Sequence, residues 1–97
     1  MMKEYLNNVA LNYCNLEEFL KANHNFKLDE RCYRGNVRSD IKKTIDEAEE
    51  NLTEKTQQVR ANFVIGLKYY FLSEEKIIAC GSAYRFELNN KNQSYVL

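Results

Sequence analysis

The chain contains no proline, so it has no X–Pro bond whose cis form could slow folding. It also lacks net charge: 14 basic and 14 acidic side chains cancel. Without a long-range field to attract a polyanion or an anionic bilayer, nucleic acid and membrane are both disfavoured as partners. Long apolar runs are missing too. The longest, Phe63 to Leu72, is broken by Gly66 and Lys68 and falls short of the roughly 20 apolar residues that span a bilayer. The opening MMKEYLNNVALNYC has no apolar stretch of signal-peptide length. Cysteine is sparse and odd in number. Cys14, Cys32 and Cys80, at unequal spacings, suit free thiols in a reducing compartment, which predicts a cytoplasmic protein.

What is present describes a folded chain. Hydrophobic residues make up 44% and charged residues 29% of 97 positions, a composition that supports one core and a single domain over 1–97. Tyr5, Val9, Leu11 and Tyr13 alternate through residues 4–14, interrupted by Asn7, and predict a first strand. Asn15 followed by Glu18 three positions on is a helix-start pattern, giving a short helix from Leu16 to Ala22 that buries Leu16, Phe19 and Leu20. Residues 23–36 show no sustained period and predict a connector anchored by Phe26, Leu28, Cys32 and Tyr33. From Val37 to Arg60, Ile41, Ile45, Ala48, Leu52 and Val59 recur at helical spacing, predicting one long helix capped by Ser39 or Asp40. Its carboxylates Asp46, Glu47, Glu49, Glu50 and Glu54 are read as a solvated outer surface.

After Asn62, Phe63, Ile65, Leu67, Tyr69 and Phe71 alternate with Val64, Gly66, Lys68 and Tyr70. Beyond the polar Ser73-Glu74-Glu75, Ile78, Cys80, Ser82, Tyr84, Phe86 and Leu88 do the same. The short connection makes the two strands an antiparallel hairpin. Gly66 and Gly81, inside these strands, mark a bulge or a close backbone approach. The expected fold class is α+β: an antiparallel sheet of about three strands packed on one long helix, in the order β, short α, long α, β, β. Residues 89–97 form a polar tail ending in Tyr95, Val96 and Leu97, free or docked on a partner.

The run RANFVIGLKYYF, followed by IIACGSAYRFE, resembles the YbjQ-like family of small proteins named for heavy-metal binding. Ala61, Asn62, Val64, Ile65 and Gly66 occupy the positions of that family's first motif, and Ala79, Gly81, Ser82 and Ala83 those of its second. Phe63 stands where the family has a small residue, and Ser82 where it has threonine. The resemblance covers the C-terminal half alone and rests on apolar and glycine positions, which carry packing more than chemistry. It implies a small α+β subunit that assembles into a closed ring.

Functional candidates are few. Cys14, His24, Cys32 and Cys80 are the only soft metal ligands, and no pair has CxxC, CxxH or HxxxH spacing; inert free thiols are the simpler explanation. Thiol catalysis would depend on His24 alone. Arg34, Gly35, Asn36 and Arg38 precede the expected long helix, whose free N–H groups and dipole suit an anion, though such arginines commonly pair with acids such as Asp29 and Glu30. Tyr69 and Tyr70 must point to opposite sheet faces, and the face of Tyr70 is read as an interface comprising Val64, Tyr70, Ile77, Tyr84 and Tyr95. These observations predict a non-enzymatic protein without a cofactor that self-associates into a ring. The alternatives are an inhibitor-like protein docking on a specific macromolecule and a thiol-dependent metal binder.

Overall fold

The computed structural model describes residues 2–6, 8–22 and 32–86. The N-terminal alternation belongs to two antiparallel strands, β1 (Met2–Leu6) and β2 (Val9–Asn12), where a single strand was expected. Asn8 turns the corner at φ 62°, a left-handed conformation that asparagine tolerates because its short side chain can hydrogen-bond locally. Helix α1 (Leu16–Ala22) starts as its sequence predicts. Glu18 N–H donates to Asn15 Oδ1 at 2.8 Å, and Asn15 N–H donates to Glu18 Oε1 at 3.2 Å, so two otherwise unpaired donors are satisfied reciprocally.

The expected connector divides. Residues 23–31, with Phe26 and Leu28, lie outside the described residues, and the remainder is a strand, β3 (Tyr33–Arg38). Only Val37 of that strand is buried, so no alternation announces it. The expected long helix is likewise shorter: α2 covers Ile45–Gln58. Ser39 and Asp40 do not cap it; Thr44 does, its Oγ1 accepting from Glu47 N–H at 3.1 Å. Residues 39–42 instead extend the sheet edge. Ser39 N–H donates to Ala79 O at 2.8 Å, and Lys42 and Ile77 exchange two backbone bonds of 2.8 and 2.7 Å. Ala48 and Leu52 are buried as expected, whereas Ile41, Ile45 and Val59 are exposed. The helical spacing ran through a segment that pairs as an edge, where apolar residues have nothing above them.

Helix α2 ends with Arg60 at φ 60°. Ala61 N–H reaches Thr56 O at 3.1 Å and Arg60 N–H reaches Gln57 O at 2.9 Å, the paired bonds of a Schellman stop, which glycine fills most easily. Replacing Arg60 with glycine is expected to stabilise the fold by about 0.5–1 kcal/mol, seen as a raised urea midpoint with an unchanged slope.

Strands β4 (Phe63–Ser73) and β5 (Lys76–Tyr84) form the expected antiparallel hairpin, joined by Glu74 and Glu75. The sheet has five strands in the order β1-β2-β4-β5-β3, and β2 runs parallel to β4. The expected sheet of three antiparallel strands on one helix is therefore replaced by a mixed sheet covered by a different helix on each face. On one face, α2 places Ala48 and Leu52 against Val9, Leu11, Val64, Leu67, Ala79 and Ala83. On the other, Phe19 of α1 packs with Ala10, Phe63, Ile65, Tyr84 and Phe86. Phe19, Phe63 and Phe86 sit with ring centroids 5.2–5.7 Å apart, within the range where edge and offset contacts are favourable.

A bulge explains why the odd-numbered residues of β4 divide between the two cores. Its register with β5 shifts between Ile65 and Lys68, with Gly66 at φ 73°. Because side chains alternate strictly along a strand, one extra residue exchanges the faces. Phe63 and Ile65 therefore face α1, while Leu67 and Tyr69 face α2, although simple alternation placed all four together. Among the described residues, no helix is long and apolar enough to cross a membrane.

Candidate functional site

Helix α1 covers the end of the sheet near Phe63 and Phe86. Beside the bulge on β4, the same face carries an open concavity of about 500 Å³, whose lining includes Asn36, Arg38, Lys68, Tyr70, Cys80 and Ser82. Register places these residues in rows. Arg38 on β3 lies opposite Cys80 on β5, and Cys80 lies opposite Lys68 on β4. With strands about 4.8 Å apart, the two cationic residues stand about 10 Å apart on either side of the thiol. In the next row Asn36 is opposite Ser82, and Ser82 Oγ donates to Asn36 Oδ1 at 3.1 Å. Tyr33 OH donates to the same oxygen, also at 3.1 Å. Two donors on Oδ1 fix the amide and leave its NH₂ without a partner among the described residues. Arg38 and Lys68 form no ion pair among the described residues either, and no carboxylate lines the concavity. Tyr70 closes one end from two positions along β4.

This arrangement gathers residues that the sequence assigned to separate roles. Asn36 and Arg38 belong to the expected anion site, but with Arg34 and Gly35 they lie in β3. They do not form the loop leading into the long helix, whose start is at Ile45. Lys68 was read only as an interruption, and its role follows from the bulge, which turns it onto the face of Arg38. Of the expected interface set, Tyr70 is 54% exposed, while Val64, Ile77 and Tyr84 are buried in the two cores. A buried side chain offers no contact area to a partner. Tyr95 lies outside the described residues.

The thiol candidates are not assembled into one group. Cys14 and Cys32 pack against the α1-side cluster, and Cys80 lines the concavity; all three are free. His24 lies outside the described residues. Among the described residues, no group of three or more His, Cys, Asp or Glu side chains could hold a metal ion. A second concavity of about 470 Å³, with Asn8, Arg60, Asn62 and Arg85 in its lining, is partly structural. Asn62 bonds the backbone of Phe86 in both directions, at 2.8 and 3.0 Å.

Two further features escaped the sequence. Glu49, read as an outward carboxylate, is only 3% exposed. Tyr69 OH donates to Glu49 Oε2, and Tyr13 OH lies 3.4 Å from Tyr69 OH. Since the Tyr69 proton is committed to the carboxylate, Tyr13 is the donor of that second contact. Burial first, then the bonds to Glu49 and Tyr13, push the Tyr69 hydroxyl well above its ordinary pKa.

The second feature is an overhang. Strand β2 meets β4 only at Phe63 and Val64, followed by a bond from Gly66 N–H to Cys14 O. From Lys68 to Ser73, β4 pairs with β5 alone among the described residues. Tyr70, Phe71 and Leu72 on this stretch are 54%, 63% and 56% exposed. No family model, curated protein or solved structure matches the chain.

Proposed function

We propose that the protein is non-enzymatic and works by self-association through the overhanging half of the β4–β5 hairpin. The observation that carries this reading is the outer edge of β4 from Lys68 to Ser73, unpaired among the described residues and bearing three consecutive large apolar side chains more than half exposed. Such an edge presents unsatisfied N–H and C=O groups and templates the addition of another strand. An antiparallel pairing of this edge with itself about Tyr70 places Lys68 opposite Leu72 of the second copy and Tyr69 opposite its Phe71. Like charges never meet, and the zero formal net charge leaves no general repulsion between copies.

The YbjQ-like resemblance also implies assembly, but a ring requires this edge to pair with a different one. The outer edge of β3 carries Arg34 and Arg38, and its register shifts between Tyr33 and Gly35. Charge and irregularity both discourage strand addition. Pairing of the β4 edge with itself gives a two-fold dimer, whereas a ring would need β1 or β3 as its second edge. The three side chains contribute on the order of 600 Å² of apolar surface across two copies. That is less than a standard interface, so a dissociation constant in the region of 10 µM is expected.

Light scattering across a concentration series is expected to show mass rising from monomer to dimer, and Phe71→Asp to hold the protein at monomer mass. A wild-type monomer at every concentration up to about 1 mM would sink the reading and leave the overhang to a different protein. A Phe71→Asp variant that dimerises normally would sink the proposed surface.

A further inference from the structure

We infer that the concavity between β3, β5 and β4 binds a small phosphate-bearing molecule with a flat ring, the chemistry of a mononucleotide. The site shares Lys68 and Tyr70 with the overhanging edge, whereas Arg38, Asn36 and Ser82 lie outside it, so Arg38 is the residue whose replacement separates the two. The argument begins with hydrogen-bond inventory. Arg38 and Lys68 can only donate, and Asn36 has both lone-pair directions of its oxygen occupied by Ser82 and Tyr33, so its free end donates as well. A site with two cationic side chains and an uncommitted amide donor, and with no carboxylate in its lining, favours a ligand rich in anionic acceptors. Phosphate oxygens meet that requirement, and guanidinium and ammonium groups bind them with charge assistance.

Geometry then limits the size. Arg38 and Lys68 flank Cys80 from the two neighbouring strands, and side chains of their length can reach one anion between them from backbones about 10 Å apart. Two like charges held facing one space repel each other, and an anion between them converts that repulsion into attraction. The volume of about 500 Å³ falls in the range of small-ligand sites, larger than a lone phosphate needs. The extra room extends along β4 to Tyr70, two residues and so about 7 Å from the Lys68 row. An exposed phenol ring there offers a face on which a flat group can stack.

The test uses AMP, inorganic phosphate and adenosine as probes, followed by calorimetry and by amide shifts of Asn36, Gly81 and Ser82. AMP is expected to bind with a dissociation constant on the order of 0.1–1 mM, phosphate more weakly, and adenosine more weakly than AMP. Arg38→Gln and Lys68→Gln should each weaken AMP about tenfold, while Arg34→Gln, which alters an exposed arginine outside the concavity, should leave it unchanged. Dimer mass measured on Arg38→Gln should match wild type, which separates failure of this site from failure of the assembly surface. Absence of AMP binding at 10-fold above that range overturns the inference, as does an Arg34→Gln loss equal to that of Arg38→Gln, which would reduce binding to diffuse surface charge. Equal affinity for phosphate and AMP overturns the flat-ring component.

Discussion

Gly81→Val is expected to destabilise the protein by about 3 kcal/mol or more, lowering the thermal midpoint by roughly 15 °C. Gly81 lies on β5 opposite Val37, beneath α2, where the register of the hairpin shifts. A side chain built there collides with Val64 Cγ1 and comes within 3.2 Å of Ile65 O. Val64 is fully buried and cannot swing out, while the carbonyl belongs to the sheet ladder. Overpacking of a close-packed core forces strained rotamers or backbone shifts. Alanine adds one carbon and is expected to cost about 2 kcal/mol, and valine adds three. Gly66 provides a contrast, since no atom lies within 4 Å of a Cβ built there. Its requirement comes only from φ 73°, so Gly66→Ala should cost about 1 kcal/mol. The collision is directly testable. Val64→Ala removes the obstructing methyl, so Gly81→Ala combined with Val64→Ala should be about 1 kcal/mol more stable than the sum of the single changes. Strict additivity in urea unfolding would show that the crowding is not between these two residues.

The same two glycines show how far the sequence could be read. Glycine inside an otherwise continuous strand pattern signals a bulge or a close approach, and Gly66 and Gly81 supply one of each. The signal does not say that a bulge reverses the faces beyond it. Consequently Lys68 and Tyr70 could not be placed beside Arg38, and Val64, Ile77 and Tyr84 were assigned to a surface when they lie in the cores. Capping was legible where it is local: Asn15 and Glu18 determine the start of α1. At α2 the same local pattern, Thr44 followed by Glu47, was there to be read but was passed over for Ser39 and Asp40. Ser39 and Asp40 have the chemistry of caps, but Ser39 is held by Ala79, 40 residues away, and Asp40 by Lys55 Nζ at 2.8 Å. Long-range pairing of an edge overrode a helical period whose apolar members, Ile41 and Ile45, are found exposed. The parallel contact of β2 with β4 was hidden for the same reason, because nothing local in VALN distinguishes a strand that meets a distant partner from one that meets its neighbour.

Tyr69→Phe is expected to lower stability at pH 7 by about 1.5 kcal/mol, the typical worth of a hydrogen bond to a carboxylate, and to lose less of its remaining stability than wild type as pH rises. The substitution keeps the ring packed between Tyr13 and Phe71 and deletes only the proton given to the buried Glu49. The sign of the pH effect follows from linkage. In the unfolded chain a tyrosine ionises near 10, whereas in the folded chain burial and then the bonds to Glu49 and Tyr13 raise the Tyr69 pKa well beyond that. The contribution of that raised pKa is fully present below pH about 10 and is lost as pH climbs above it, because the unfolded chain releases a proton that the folded chain retains. Tyr84, raised by burial and then by the neighbouring Tyr33, acts in the same direction, so the variant keeps a shallower decline. Urea midpoints measured between pH 7 and 11 should therefore show the wild-type and Tyr69→Phe curves converging above pH 10. A constant gap over that whole span would mean that the Tyr69 proton is not held by the fold, and that its contact with Glu49 contributes packing alone.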